Sequence, residues 1–169
     1  MEQDLNIKYS SLITYAKNFC VCLENAREAD EHEFVEEITG ILPVIYVQMF
    51  DIDVTAFPET GMFDYMPQYV DEEYYDSIRR NLETLFGSDD TYLETFVEDM
   101  KYSDTPVAAS IAENLADIFQ DLYNFVCAVK ESEGMQTATA LVACKENFDN
   151  YWSQTLCNVM RPLNALRVG

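Results

Sequence analysis

Residues 111–129 read IAENLADIFQDLYNFVCAV, and their spacing decides the fold class. Ile111, Leu115, Ile118, Leu122, Phe125, Val126 and Val129 recur every three or four positions, the pattern of a helix that buries one face. Thr105 is a fitting N-cap for this helix, with Pro106 at the first helical position, where its missing N–H costs nothing. Gly134 marks its end. Glu113, Asp117 and Asp121, four apart, fall on the side turned away from the apolar stripe, which predicts a solvated acidic face.

The same periodicity extends outward in both directions. Toward the N-terminus, Tyr75, Ile78, Leu82 and Leu85 form a stripe opened by Asp71 as cap, with Glu72 and Glu73 set against the helix dipole, and closed by Gly87. Ser88-Asp89-Asp90 then reads as turn and cap for a short helix carrying Leu93, Phe96, Val97 and Met100. Further back, Leu12, Ala16, Phe19, Cys20 and Leu23 make one stripe. Phe34, Ile38, Ile41, Leu42, Ile45 and Met49 make another, which Pro43 should kink or divide. Beyond Gly134, a single pattern runs through Leu141, Cys144, Phe148, Trp152, Val159, Leu163 and Leu166, and it predicts a buried Trp152. No alternating run flanked by hairpin turns is present, so no sheet is expected. The expectation is an all-α, single-domain helical bundle of about six helices over residues 1–169, with a long acidic-aromatic connection at about 51–70.

Composition excludes several functions. In 169 residues there are 31 Asp and Glu against 10 Lys and Arg, a net charge of −21, with 49% hydrophobic residues. Such a charge repels nucleic acid and anionic membrane surfaces, so neither is an expected partner. No apolar run approaches the length of a membrane span, and MEQDLNIKYS lacks the basic and apolar regions of an export signal. Five cysteines without such a signal read as reduced, buried thiols, which predicts a cytoplasmic protein. Cys20 and Cys22 are too closely spaced for a zinc knuckle, the single histidine, His32, fits a solvated helix start, and the glycines are isolated. No metal site, cofactor or catalytic residue is expected.

The segment Glu98-Asp99-Met100-Lys101-Tyr102-Ser103-Asp104, together with Ala112–Ile118 (AENLADI) and Tyr151-Trp152, resembles the bacterial family known as domain of unknown function 5063. The likeness is strongest over about residues 71–125. The resemblance implies a small, acidic, helical bacterial protein without an assigned activity, and it supplies no catalytic or ligand residues.

Four groupings are candidates for function, each with a structural alternative. Glu113, Asp117 and Asp121 would hold a divalent cation if a second helix supplied oxygens; otherwise they are a solvated face. Glu98, Asp99, Tyr102 and Asp104, around Lys101 and Ser103, form a polar junction before the long helix, either a ligand cluster or a local cap and ion pair. Glu33-x-x-Glu36 and Glu73-x-x-Asp76 match the carboxylate spacing of Mg²⁺-dependent all-α hydrolases of nucleotides or other phosphorylated small molecules. With 31 acids, however, roughly five or six such pairs arise by chance. Finally, between Glu28 and Ile78 there are fourteen acids and no Lys or Arg. The connection at about 51–70 lies inside that stretch and carries Phe57, Met62, Phe63, Tyr65, Met66 and Tyr69. Phe63, Asp64, Tyr65 and Met66 suit a surface for a basic protein partner, or else fold back as a lid on the core. The reading that fits is a protein-interaction or regulatory module without catalysis; the alternative is the Mg²⁺-dependent hydrolase.

Overall fold

A computed structural model describes residues 2–57, 66–94 and 107–169. They form helices α1 (Glu2–Lys8), α2 (Ser10–Glu24), α3 (Glu31–Phe50), α4 (Glu72–Phe86), α5 (Ile111–Glu131), α6 (Thr137–Asn147) and α7 (Ser153–Val168). A short antiparallel ladder of β1 (Thr91–Glu94) and β2 (Val107–Ser110) lies between α4 and α5, with Thr91 opposite Ser110 and Glu94 opposite Val107. The architecture is a helical bundle, as the periodicity predicts. α5 is its central element and packs against α2, α4, α6 and α7, while α3 lies against α2 and α7.

The stripes meet in one continuous core. Phe19, Leu23, Ile38, Leu42, Ile45, Ile118, Phe119, Leu122, Val159 and Leu163 are wholly buried. Trp152 is buried as expected, its ring set edge-on to Phe148 at 4.7 Å between centroids. It sits at the end of a π-helical turn, Phe148–Trp152, that joins α6 to α7. The extra residue in that turn keeps Phe148 and Trp152 both inward, so two helices read as one long pattern in the sequence.

Aspartates cap α3 and α4, the second as predicted. Asp30 accepts from the N–H of Glu33 at 3.1 Å and Asp71 from that of Tyr74 at 2.7 Å. Gly87 closes α4 at φ 54°, a conformation that favours glycine. His32 is exposed in the first turn of α3, as predicted.

Five expectations need correction. The residues after Gly87 do not begin a short helix: Leu93 belongs to β1, and Phe96, Val97 and Met100 lie outside the described residues. A small sheet is therefore present. α5 starts at Ile111 rather than after Thr105, which lies outside the described residues with Pro106. Its cap is Ser110, whose Oγ accepts from the N–H of Glu113 at 3.1 Å and donates to Asp90 at 2.7 Å. Asp90 also accepts from the N–H of Ala112 at 2.7 Å. Two side chains thus satisfy the first-turn donors at Ser110, and Val107–Ala109 are left to pair with β1. Pro43 does not divide α3, which runs through it unbroken, and the residue is exposed. Cys157 is exposed, although Cys20, Cys22 and Cys144 are buried as expected. Among the described residues, no helix is long and apolar enough to cross a membrane.

Candidate functional site

The polar face of α5 that flanks its apolar stripe is not solvated along its length. Asn114, Asp117, Asp121 and Asn124 follow one another at helical spacing, and each meets a side chain or backbone group from another element. Tyr92 of β1 donates its hydroxyl to Asn114 Oδ1. Tyr75 of α4 donates to Asp117 Oδ1 at 2.5 Å. Asn147 of α6 donates to Asp121 Oδ1 at 3.1 Å. Asn124 Oδ1 accepts the N–H groups of Tyr69 at 2.7 Å and Val70 at 3.3 Å, and its Nδ2 donates to Gln68 Oε1 at 2.8 Å. A central helix has neighbours on more than one side, and α4, α6 and the segment 66–70 cover the carboxylates that the sequence would leave in water.

Beside Asp121 the layer opens into a pocket of about 60 Å³. Met66, Gln68, Asp121, Asn124, Cys144 and Asn147 line it, with Phe125 forming apolar wall. Burial pushes the Asp121 carboxyl up to about 6, against the hydrogen bond from Asn147 and with help from the charge of Asp117. Asp117 is raised by burial too, opposed by the Tyr75 hydrogen bond. Burial, then the adjacent carboxylate of Asp121, holds the Cys144 thiol far up and protonated. Among the described residues neither Asp117 nor Asp121 has an ion-pair partner: Arg79 is held by Asp76 and Glu83, and Lys145 by Asp149. The arrangement is a half-buried carboxyl without a counter-charge, bordered by three side-chain amides and a neutral thiol.

The structure brings only some of the predicted site residues here. Asp117 belongs to the layer, and Met66 packs on the core at the pocket wall. Glu113 is exposed at the start of α5, where its backbone N–H serves the cap. Phe63, Asp64 and Tyr65 lie outside the described residues, as do Glu98, Asp99, Tyr102 and Asp104. At the flanks of the connection, Phe57 and Tyr69 pack against the core, Phe57 edge-on to Tyr9 at 6.0 Å. The two carboxylate pairs of the hydrolase reading do not converge. Phe34 touches Phe86, so the Glu33/Glu36 end of α3 lies by the end of α4, and Asp76 stands ten residues earlier, about 15 Å along the helix. Among the described residues no group of three or more His, Cys, Asp or Glu is placed to hold a metal ion. Sequence reasoning missed Gln68, Tyr75, Asn124 and Asn147. Asn124 shares the face of Asp121, three positions on, but nothing in the sequence pairs it with the backbone at Tyr69 and Val70.

The family model described as Domain of unknown function (DUF5063) matches residues 4–169. The chain belongs to this family. Within the solved structures it is similar to protein BF1032 from Bacteroides fragilis, at 29% identity and a TM-score of 0.73, over 92% of this chain and 89% of that one. A search of curated proteins found no match.

Proposed function

We propose that the chain is a protein-interaction or regulatory module without catalysis, and that it engages a basic protein partner through the connection at about 51–70. The reading rests on one observation: fourteen acids and no Lys or Arg between Glu28 and Ile78, with aromatic and Met side chains concentrated inside that stretch. Rim carboxylates accelerate encounter with a basic surface, and aromatic anchors slow its release. Its flanks support the reading. Asp53 caps a turn at Thr55, Phe57 and Met66 are seated on the core, and Asn124 holds the backbone at Tyr69 and Val70, so the surface has fixed ends. Five free thiols, three of them buried, favour a reducing cytoplasm as its location.

The test is binding of an amphipathic, lysine-rich peptide to the purified protein. Replacing Phe63 and Tyr65 by Ala weakens it with the helical spectrum intact, and raising salt from about 50 to about 500 mM weakens it for the unmodified protein. Undiminished binding by the double variant, or collapse of its fold, overturns the proposal.

A further inference from the structure

We propose that the pocket beside Asp121 receives a primary ammonium group, the head of a lysine side chain presented by the basic partner. The inference rests on the reading above and gives that partner a specific anchor. An ammonium offers three N–H donors and no acceptor. Three of the lining residues carry side-chain oxygens and come from separate elements: Asp121 on α5, Asn147 on α6 and Gln68 in the segment leading to α4. Asp121 uses Oδ1 for Asn147, and among the described residues no donor reaches its Oδ2. The carbonyl oxygen of Asn147 is likewise without a donor, and that of Gln68 takes one bond from Asn124 and retains a second lone pair.

Charge and size agree. A half-buried carboxylate without a counter-ion is costly, and an inserted cation relieves that cost. A pocket of about 60 Å³ is large enough to admit an ammonium group and its last methylene. The walls suit the aliphatic stem: Met66 and Phe125 are apolar, and the buried Cys144 thiol is neutral. Met66 also places the pocket at the edge of the connection proposed to meet the partner.

The experiment measures binding of two probes to the full chain: Nα-acetyl-lysine methylamide, followed by chemical shifts of the Asn147 side-chain amide, and the lysine-rich peptide. Asp121→Asn, which keeps an oxygen for Asn147, reduces lysine affinity by at least about tenfold. Ala143→Leu, which fills the pocket without altering charge, does the same and guards against misfolding of the first variant. Binding fades as pH falls through about 6, where Asp121 takes up a proton. The other titratable groups facing it are Asp117 on α5 and Cys144 on α6, and Met66–Gln68 add no charge. Unchanged lysine affinity in both variants overturns the inference. If the peptide binds through Phe63 and Tyr65 but ignores both variants, the pocket assignment fails and the interaction reading stands. If the lysine derivative binds and no basic peptide does, the interaction reading fails and the ammonium pocket stands.

Discussion

The two faces of α5 are made by the same helix and obey different rules. On one, Leu115, Ile118, Leu122 and Phe125 are buried in the core, and any apolar side chain of similar size would keep most of the contact. On the other, Asn114, Asp117, Asp121 and Asn124 each meet a named partner, and the geometry tolerates few replacements. The first face supplies stability through area removed from water; the second supplies position, because a half-satisfied buried polar group is worse than none. The contrast explains how a chain with so little apparent chemistry still fixes the segment 66–70 and the start of α4 at defined places.

The comparison breaks most readily on its apolar side. Leu122→Ala removes a wholly buried side chain at the helix centre, and urea unfolding is expected to show a loss of about 2–5 kcal/mol. Asn124→Ala comes next: it strips the acceptor from two backbone N–H groups and should cost about 1–3 kcal/mol. That variant also accelerates hydrogen exchange at Tyr69 and Val70, which a loss of packing elsewhere would not do selectively. If it costs more than Leu122→Ala, the polar face is the chief source of stability and the contrast is inverted.

The smallest effect sharpens the polar side alone. The Asp121 carboxyl is raised to about 6 in the folded chain, against about 3.9 for an unfolded aspartate. Between those values the folded protein holds a proton that the unfolded chain has released. Stability therefore declines as pH rises through that window and levels off above it, by about 1–2 kcal/mol once water access to a half-buried group is allowed for. Asp121→Asn flattens this slope in a pH series of melting temperatures. An unaltered slope would place the titration elsewhere.

Much of the bundle was legible because apolar spacing reports a buried face regardless of what covers it. The stripes of α2, α3, α4 and α5 appear in the sequence much as they pack. α1 escaped notice because Leu5 is its lone buried side chain among the described residues, and one residue carries no period. The β1–β2 ladder escaped because four-residue strands are too short for alternation to register, and the helical spacing of Leu93 with Phe96, Val97 and Met100 drew Leu93 into a helix reading. The polar layer was legible only in part. Asp117 and Asp121 announce a shared helix face, but whether that face is wet depends on Tyr75, forty-two positions away from Asp117, and on Asn147, twenty-six from Asp121. Spacing along one helix does not encode which neighbour will stand in front of it.

The packing of α3 against α7 has a kinetic consequence. α3 waits for one of its two partners more than a hundred residues further along the chain, and Asn6 likewise finds its partners at Gly134 and Thr137. At roughly 5–20 residues per second of synthesis, the part of α3 that α7 covers stays open for several seconds or more before α7 exists. Such non-local closure slows folding relative to a bundle of neighbouring hairpins. During that interval the dense negative charge around α3 repels sister chains in the same unfinished state, and the acidity that suits a basic partner also keeps nascent copies apart.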